Sequence, residues 1–262
     1  GLTMLALERR NQIIEKLQED KRVVVSDLSR QFGVSEETIR RDLEILDKEG
    51  IATKSYGGAV FNENNNIDMP FNVRKKKNVS GKQKIAEIVA NMIDDGDHII
   101  LDASTTAVYI AKAIKNKEHL TVITNSIEIM IELSDVSDWN IISSGGSLKE
   151  GYLALVGPQA VEGLSAFNVE KAFMSCKGLS ADRGITEGNE QFAQTKQVMM
   201  HSAQKKILTA DSSKFDGVAF SKVCDIKDID TIITDEKPSS TWMEFFDRYG
   251  VECLYPGKSG AN

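Results

Sequence analysis

The chain has 262 residues, 41% of them hydrophobic and 27% charged, with a net charge of −7. That length suits two domains, and that balance suits a folded globular protein rather than a disordered one. No apolar run approaches the ~20 residues that would cross a bilayer and no signal peptide opens the chain, so a cytoplasmic protein with no membrane contact is expected.

The first sixty residues read as three helices and a hairpin. Leu7, Ile13, Ile14 and Leu17 fall on one side of a helix over roughly residues 5–19, which residues 20–22 interrupt. Ser26 stands where an N-cap belongs. Leu28 and Phe32 supply the apolar face of a short second helix, and Gly33 takes the positive φ that ends it. Val34 fills the turn. Ser35 caps a third helix on which Ile39, Leu43 and Leu46 lie together. Arg41 then points nearly away from that apolar side, flanked by Thr38 and Arg40. A major groove is read in this way: arginine bonds guanine bidentately, and both arginines reach phosphates. The charge argues the other way. Ten basic side chains face eleven acidic ones over these residues, so the usual basic footprint is missing. A solvated helix in an ordinary three-helix bundle fits the same spacing. Gly50 ends the third helix, and residues 51–55 and 59–61 pair around Tyr56-Gly57-Gly58. A hairpin after a recognition helix is a wing, with Lys54 and Tyr56 as candidate phosphate or minor-groove contacts.

The run GVSEETIRRDLEILDKEG, followed by YGGAVF, resembles the N-terminal signature of the DeoR family of bacterial transcription regulators, densely so over residues 7–61. The resemblance implies a winged helix-turn-helix domain over residues 1–61 that binds a double-stranded DNA operator. Its DNA-binding residues would be Ser35, Thr38, Arg40, Arg41, Lys54 and Tyr56. Lys54 and Tyr56 stand where family members often carry Arg and His.

Residues 62–80 read as a linker: the polar run NENNNI, then Pro70, Phe71 and the basic run Arg74-Lys75-Lys76-Lys77. The basic run is either solvated linker, or an arm that contacts the DNA backbone or docks the domains. Chains resembling this family often have Arg near position 74, which implies docking for that residue.

Over residues 81–262 apolar strands alternate with amphipathic helices. Helices are expected at 82–94, 105–116, 126–134, 157–165, 190–203 and 239–249. Strands are expected at 98–102, 120–124, 140–143, 170–175, 206–210, 230–234 and 251–254. Such alternation means a mostly parallel sheet covered by helices, with ligands beyond the carboxyl ends of the strands. Those ends carry small or polar groups. Asp102-Ala103-Ser104-Thr105-Thr106 leads straight into a helix, a ready anion site. Thr124-Asn125-Ser126, Gly145-Gly146, Lys177-Gly178 and Asp211-Ser212-Ser213-Lys214 follow other strands. Each alone is an ordinary cap or turn. Together they describe a pocket for a small polyol carrying an anion. Cys176, Cys224 and Cys253 have no metal-ligand spacing, so neither a metal site nor a disulfide framework is expected. No histidine follows a strand on that rim. Asp102, Glu187 and Asp211 are the carboxylates on which an isomerase or deaminase reading would have to rest, and no catalytic residue is expected.

The blocks ILDASTTA, VITNS, SSGGSL, FMSCKG and DSSKF are similar to the C-terminal sensor domain of the same family, so the resemblance covers nearly the whole chain. It implies an α/β fold class: an N-terminal winged helix-turn-helix plus a larger Rossmann-like domain resembling ribose-5-phosphate isomerase, glucosamine-6-phosphate deaminase and CoA transferases. It implies a phosphorylated sugar as effector and no cofactor. Ser104, Thr105 and Thr106 would hold the phosphate, and Asp102, Asn125, Gly146, Lys177 and Lys214 would line the rest. Glu187, with Asn189 and Glu190, would lie in a Gly-rich loop, GITEGNE, that closes over the sugar. A phosphate loop without arginine calls on Lys177 or Lys214 for neutralising charge. Ser104 together with the SCKG run resembles members serving 6-deoxyhexose catabolism, which implies a 6-deoxyketose 1-phosphate. The function implied is a repressor of a sugar-catabolism operon whose DNA binding the phosphorylated sugar modulates. One such DNA-binding unit is too small to select a site in a genome, so a homodimer or homotetramer on paired half-sites is expected.

Overall fold

The protein is described by a computed structural model covering residues 4–63, 69–149 and 151–258, and it divides into two compact units, Gly1–Lys77 and Asn78–Asn262. Most of the polar run expected at 62–67 lies outside the described residues.

The first unit runs α1 (Ala6–Asp20), β1 (Arg22–Val24), α2 (Val25–Phe32), α3 (Glu36–Lys48), β2 (Ala52–Ser55), β3 (Gly58–Phe61) and α4 (Phe71–Lys75). The expected helix-turn-helix geometry is present. Gly33 takes φ 64° at the end of α2, and the Ser29 hydroxyl donates to the Val34 carbonyl at 2.6 Å, which fixes the turn. Ile13, Ile14, Leu17, Leu28, Ile39, Leu43 and Leu46 form one core.

Two local expectations need correction. Ser26 is not a cap: α2 starts directly off β1 with Val24 at the N-cap position and no side-chain cap. The Val25 N–H is instead taken by the Gly57 carbonyl of the hairpin turn at 2.8 Å, so the wing completes the helix start. Leu7 is 60% exposed rather than part of the buried stripe. The buried long side chain near that end of α1 is Arg9, whose Nε and Nη2 donate to the Asp42 carboxylate at 2.6 and 3.2 Å.

The hairpin is joined by β1 into a three-stranded antiparallel sheet of order β1-β3-β2. At Gly58 a Cβ would stand 2.0 Å from the Val23 carbonyl oxygen, so only glycine lets β1 approach. The basic run is not all extended chain. Phe71 and Val73 of α4 are buried, Val73 in the core of this unit, and Lys76 pairs with Glu15 at 2.9 Å.

The second unit runs α5 (Val79–Ala90), β4 (His98–Leu101), α6 (Thr105–Ala113), β5 (Thr121–Thr124), α7 (Ile127–Glu132), β6 (Asn140–Ser143), β7 (Ser147–Lys149), β8 (Ala154–Val156), α8 (Pro158–Ser165), β9 (Val169–Met174), β10 (Gly178–Ser180), β11 (Gly184–Glu187), α9 (Glu190–His201), β12 (Ala203–Thr209), β13 (Ser221–Cys224), β14 (Thr231–Ile233), α10 (Ser240–Arg248) and β15 (Glu252–Leu254). Among the described residues, seven strands form one sheet of order β15-β14-β12-β9-β4-β5-β6, parallel throughout. From β4 the chain builds outward through β5 and β6. From β9 it builds the opposite way. The direction therefore switches between β4 and β9, where open α/β sheets bind ligands. Register pairs Leu101 with both Thr124 and Phe173, and Thr124 with Ser143, so these carboxyl ends are level.

Two small sheets were not anticipated: the hairpin β7-β8, and the antiparallel trio β10-β11-β13. Their strands are only three or four residues long, too short to carry an alternating signal. The GITEGNE segment is accordingly not a free loop. Gly184–Glu187 is β11, and Glu190 already begins α9, capped by the Asn189 side chain, which accepts from the Phe192 N–H at 3.0 Å.

The Arg9–Asp42 pair fixes α1 against α3 inside the first unit. Asp42→Ala strands a buried guanidinium and is expected to cost about 3–5 kcal/mol of that unit's stability. Urea denaturation followed by helical circular dichroism checks this, and a loss below about 1 kcal/mol, the level of an exposed pair, would contradict it.

Candidate functional site

Two surfaces carry the chemistry-bearing residues, one on each unit. On the first, Ser35 caps α3: its hydroxyl accepts from the Thr38 N–H at 3.2 Å and lies 2.9 Å from the Thr38 hydroxyl. Arg40 and Arg41 are exposed on the same helix. Arg40 pairs with Glu36 at 2.7 Å and Arg41 with Glu37 at 3.5 Å, each one turn back. Such exposed pairs are worth about 0.3–0.5 kcal/mol, so a phosphate or a guanine edge displaces them readily. Tyr56 is fully exposed at the hairpin turn. Lys54 is exposed on β2, and its backbone N–H donates to Asp47 at 2.8 Å, which ties the wing to the end of α3. Asp42, the acid of the IRRDL run, faces inward and is answered by Arg9, so it adds nothing to the exposed charge. Its place among Ile39, Leu43 and Leu46 was the available signal, because a carboxylate on an apolar helix face needs a buried cation.

On the second unit, Asp102 follows β4 at the switch point and is 1% exposed. Its Oδ2 accepts from the Ser175 N–H at 2.7 Å and the Ser175 hydroxyl at 3.1 Å, joining the ends of β4 and β9. Its Oδ1 is buried and meets no donor among the described residues. On the neighbouring strand Asn125 is 2% exposed. Its amide donates to the Leu155 carbonyl at 3.0 Å, while its Oδ1 is likewise buried and unmatched. Two acceptors thus stand unfilled one residue beyond the Leu101–Thr124 register pair. Each costs free energy unless a donor arrives.

Ser104 caps α6 by accepting from the Ala107 N–H at 3.0 Å, and Thr105 and Thr106 open that helix, both largely buried. A helix start with hydroxyls beside it suits an anion. Lys177 follows β9 and Lys214 sits in the short turn after β12, both partly buried. Asp211 is occupied locally, accepting from the Ser213 N–H at 2.9 Å. Gly146 has φ 113°, and a Cβ there would stand 2.7 Å from the Val156 carbonyl oxygen and 2.8 Å from the Ala160 methyl. Its missing side chain is therefore explained by close packing against the β8–α8 corner rather than by room for a ligand.

Two residues absent from the sequence reading organise this rim. One is Ser175, described above. The other is Lys196 on α9. Its ammonium is 3.2 Å from Asp102 Oδ2 and donates to the Ser175 carbonyl at 2.6 Å; it also bonds Glu187 at very short range. Burial opposes its charge, but the Glu187 and Asp102 carboxylates outweigh that and raise its pKa above the ordinary lysine range. Lys196 lies in line with Ala193, Met199 and Met200, and a lysine on a buried apolar stripe was the sequence signal for it. Cys176, beside the same groups, is pushed up to about 12 by burial and by the Glu187 charge, so it stays an unreactive thiol. Among the described residues no group of His, Cys, Asp and Glu could hold a metal, and no helix is long and apolar enough to cross a membrane.

Comparison with known proteins matches both units. Residues 9–65 match the DeoR-like helix-turn-helix domain, and residues 77–236 the DeoR C terminal sensor domain. The chain is 43% identical to an uncharacterized HTH-type transcriptional regulator, YulB, of Bacillus subtilis (strain 168), over 88% of this chain and 90% of the relative. It is 32% identical to a putative aga operon transcriptional repressor of Escherichia coli O157:H7 (96% and 94% covered). It is 34% identical to the HTH-type transcriptional repressor GlcR of Bacillus subtilis (strain 168) (94% and 95% covered). Among solved structures, a ribose 5-phosphate isomerase from Methanocaldococcus jannaschii shares 16% identity over 51% of this chain and 53% of its own, with a TM-score of 0.37.

If Arg41 reads a base, Arg41→Ala weakens operator binding by ~1–3 kcal/mol and relaxes sequence preference at one position. Fluorescence anisotropy against matched and scrambled duplexes at fixed salt measures both. An unchanged ratio of specific to non-specific affinity would make Arg41 a phosphate contact only.

Proposed function

The chain belongs to the DeoR family of transcription regulators, and from that premise we propose that it is a repressor whose hold on operator DNA is set by a phosphorylated sugar bound at the strand-end rim of its second unit. DNA binding falls to α3 and the wing. The observation that carries the sensor half is the pair of unfilled buried acceptors, Asp102 Oδ1 at the point where the sheet reverses its build and Asn125 Oδ1 at the end of the adjoining β5. Both need donors, and sugar hydroxyls are donors. The start of α6, with Ser104, Thr105 and Thr106, suits the phosphate, and Lys177 and Lys214 supply cationic charge. A 6-deoxyketose 1-phosphate is the effector we favour, in a cytoplasmic homodimer or homotetramer bound to paired half-sites.

The protein is a regulator rather than an isomerase or deaminase. Its relatives are named as transcriptional regulators and repressors. The site's own electrostatics agree: Asp102 and Glu187, two of the three carboxylates a sugar isomerase could use as base, are both tied to the Lys196 ammonium.

An effector acts only through different affinities for the states that bind and release DNA. Anisotropy with the operator at fixed salt, titrated with fuculose 1-phosphate, rhamnulose 1-phosphate, fructose 1-phosphate and glucose 6-phosphate, should show at least one that changes operator affinity by about 5–150-fold. Thr105→Ala should keep the basal affinity and lose that response. No response to any phosphorylated sugar would remove the sensor role. Parallel loss of basal binding and response in Thr105→Ala would mean the variant is misfolded rather than deaf.

A further inference from the structure

Lys196 meets four acceptor atoms: the Ser175 carbonyl at 2.6 Å, the Ser175 hydroxyl at 3.2 Å, Asp102 Oδ2 at 3.2 Å and Glu187 Oε1. An ammonium has only three N–H groups, so Lys196 has none left for an effector. Those acceptors come from three elements. Asp102 follows β4, Ser175 follows β9, and Glu187 ends β11 of the small antiparallel sheet. Asp102 Oδ2 is filled by Ser175 and Lys196, while Oδ1 is left without a donor. The carboxylate is thereby held with one oxygen used and the other buried and unmatched.

We propose that Lys196 is the positioning residue of the effector site: it does not touch the effector, but clamps Asp102 and Glu187 so that Asp102 Oδ1 is presented to a sugar hydroxyl and β11 is tied to the ends of β4 and β9. The proposal rests on the reading of this rim as a phosphorylated-sugar site. It also adds a consequence: inorganic phosphate, which has no sugar hydroxyl to offer Asp102, is indifferent to Lys196 once net charge is matched, whereas a whole sugar phosphate is not. The raised pKa of Lys196 is consistent with a charge that is structural rather than switched.

The test uses the full chain as wild type, Lys196→Met and Lys196→Arg. Lys196→Met leaves two buried carboxylates facing each other, so Lys196→Met/Glu187→Gln, which removes one of those charges, is measured beside it. The first measurement needs no sugar. Site-resolved amide hydrogen exchange follows the Ser175 N–H, which donates to Asp102, and the Gly188 N–H, which donates to Glu187 at 3.3 Å. Both should exchange about tenfold faster or more in Lys196→Met and in the double variant, and regain most of their protection in Lys196→Arg, while amides in the middle of β9 and β12 stay unchanged. Unaltered exchange at Ser175 and Gly188 would overturn the proposal whatever the effector is.

The second measurement titrates each variant with inorganic phosphate and with the four sugar phosphates named above, reading thermal stabilisation. Inorganic phosphate should affect wild type and Lys196→Met/Glu187→Gln alike, because the three clamp groups carry the same net charge in both. A sugar phosphate that binds wild type should bind Lys196→Met about tenfold or more weakly and recover in Lys196→Arg. Equal sugar-phosphate binding by wild type and Lys196→Met overturns the positioning role, as does loss of phosphate and sugar phosphate in step in Lys196→Met/Glu187→Gln. If no sugar phosphate binds wild type, the sensor reading fails and the exchange result alone decides the clamp.

Discussion

The candidate site of the second unit is organised around one crevice, the gap between β4 and β9 where the sheet changes its direction of growth. At such a point neighbouring connections leave in opposite directions and no helix covers the strand ends. The Asp102 carboxylate crosses this gap to the Ser175 N–H and hydroxyl, and Lys196 closes the arrangement from α9. A buried ion pair of this kind is weak support for stability, because the desolvation of both charges offsets their attraction. Its value lies in position. The carboxylate is fixed with one oxygen spent and the other waiting, and the side-by-side register of β4 and β5 sets the Asn125 acceptor beside it.

The first unit solves a different problem. A DNA-binding domain is expected to be basic, and this one has no surplus of positive charge over its first sixty residues. Folding does not alter that balance, because Asp42 is buried together with Arg9, one charge of each sign. Glu36 and Glu37 remain at the start of α3, where they suit the helix dipole and engage Arg40 and Arg41 only loosely. The exposed side of α3 therefore offers Arg40 and Arg41 rather than a broad positive field.

The order of helices and parallel strands was legible because each has its own period: Ile39, Leu43 and Leu46 on a helix, or the apolar runs that became β4, β5, β9 and β14 on a sheet buried on both faces. Strand ends were legible as well, since the residue following the last apolar one in each run is polar. What escaped was whatever depends on contacts far apart in sequence. β1 pairs with β3 across the two helices of the DNA-binding motif, and β10, β11 and β13 are too short to show alternation. Ser26 looked like a cap because its type is right, whereas the helix starts one residue earlier, at Val25, whose N–H is reached by the Gly57 carbonyl of the hairpin. Gly146, expected to line the pocket, owes its missing side chain to close packing against β8 and α8. Lys196 was overlooked because a lysine within a helix is ordinarily solvated, and only the fold brings two carboxylates to it.

If a phosphorylated sugar and operator DNA act through one equilibrium, their coupling must be reciprocal: each changes the other's affinity by the same factor. The most direct measurement is calorimetric titration of a sugar phosphate into the free chain and into the chain saturated with its operator, at one ionic strength. The account predicts that the two sugar-phosphate affinities differ by the same factor as the operator affinities measured with and without that sugar phosphate, about 5-fold or more. Identical affinity for the free and the operator-bound chain would contradict it.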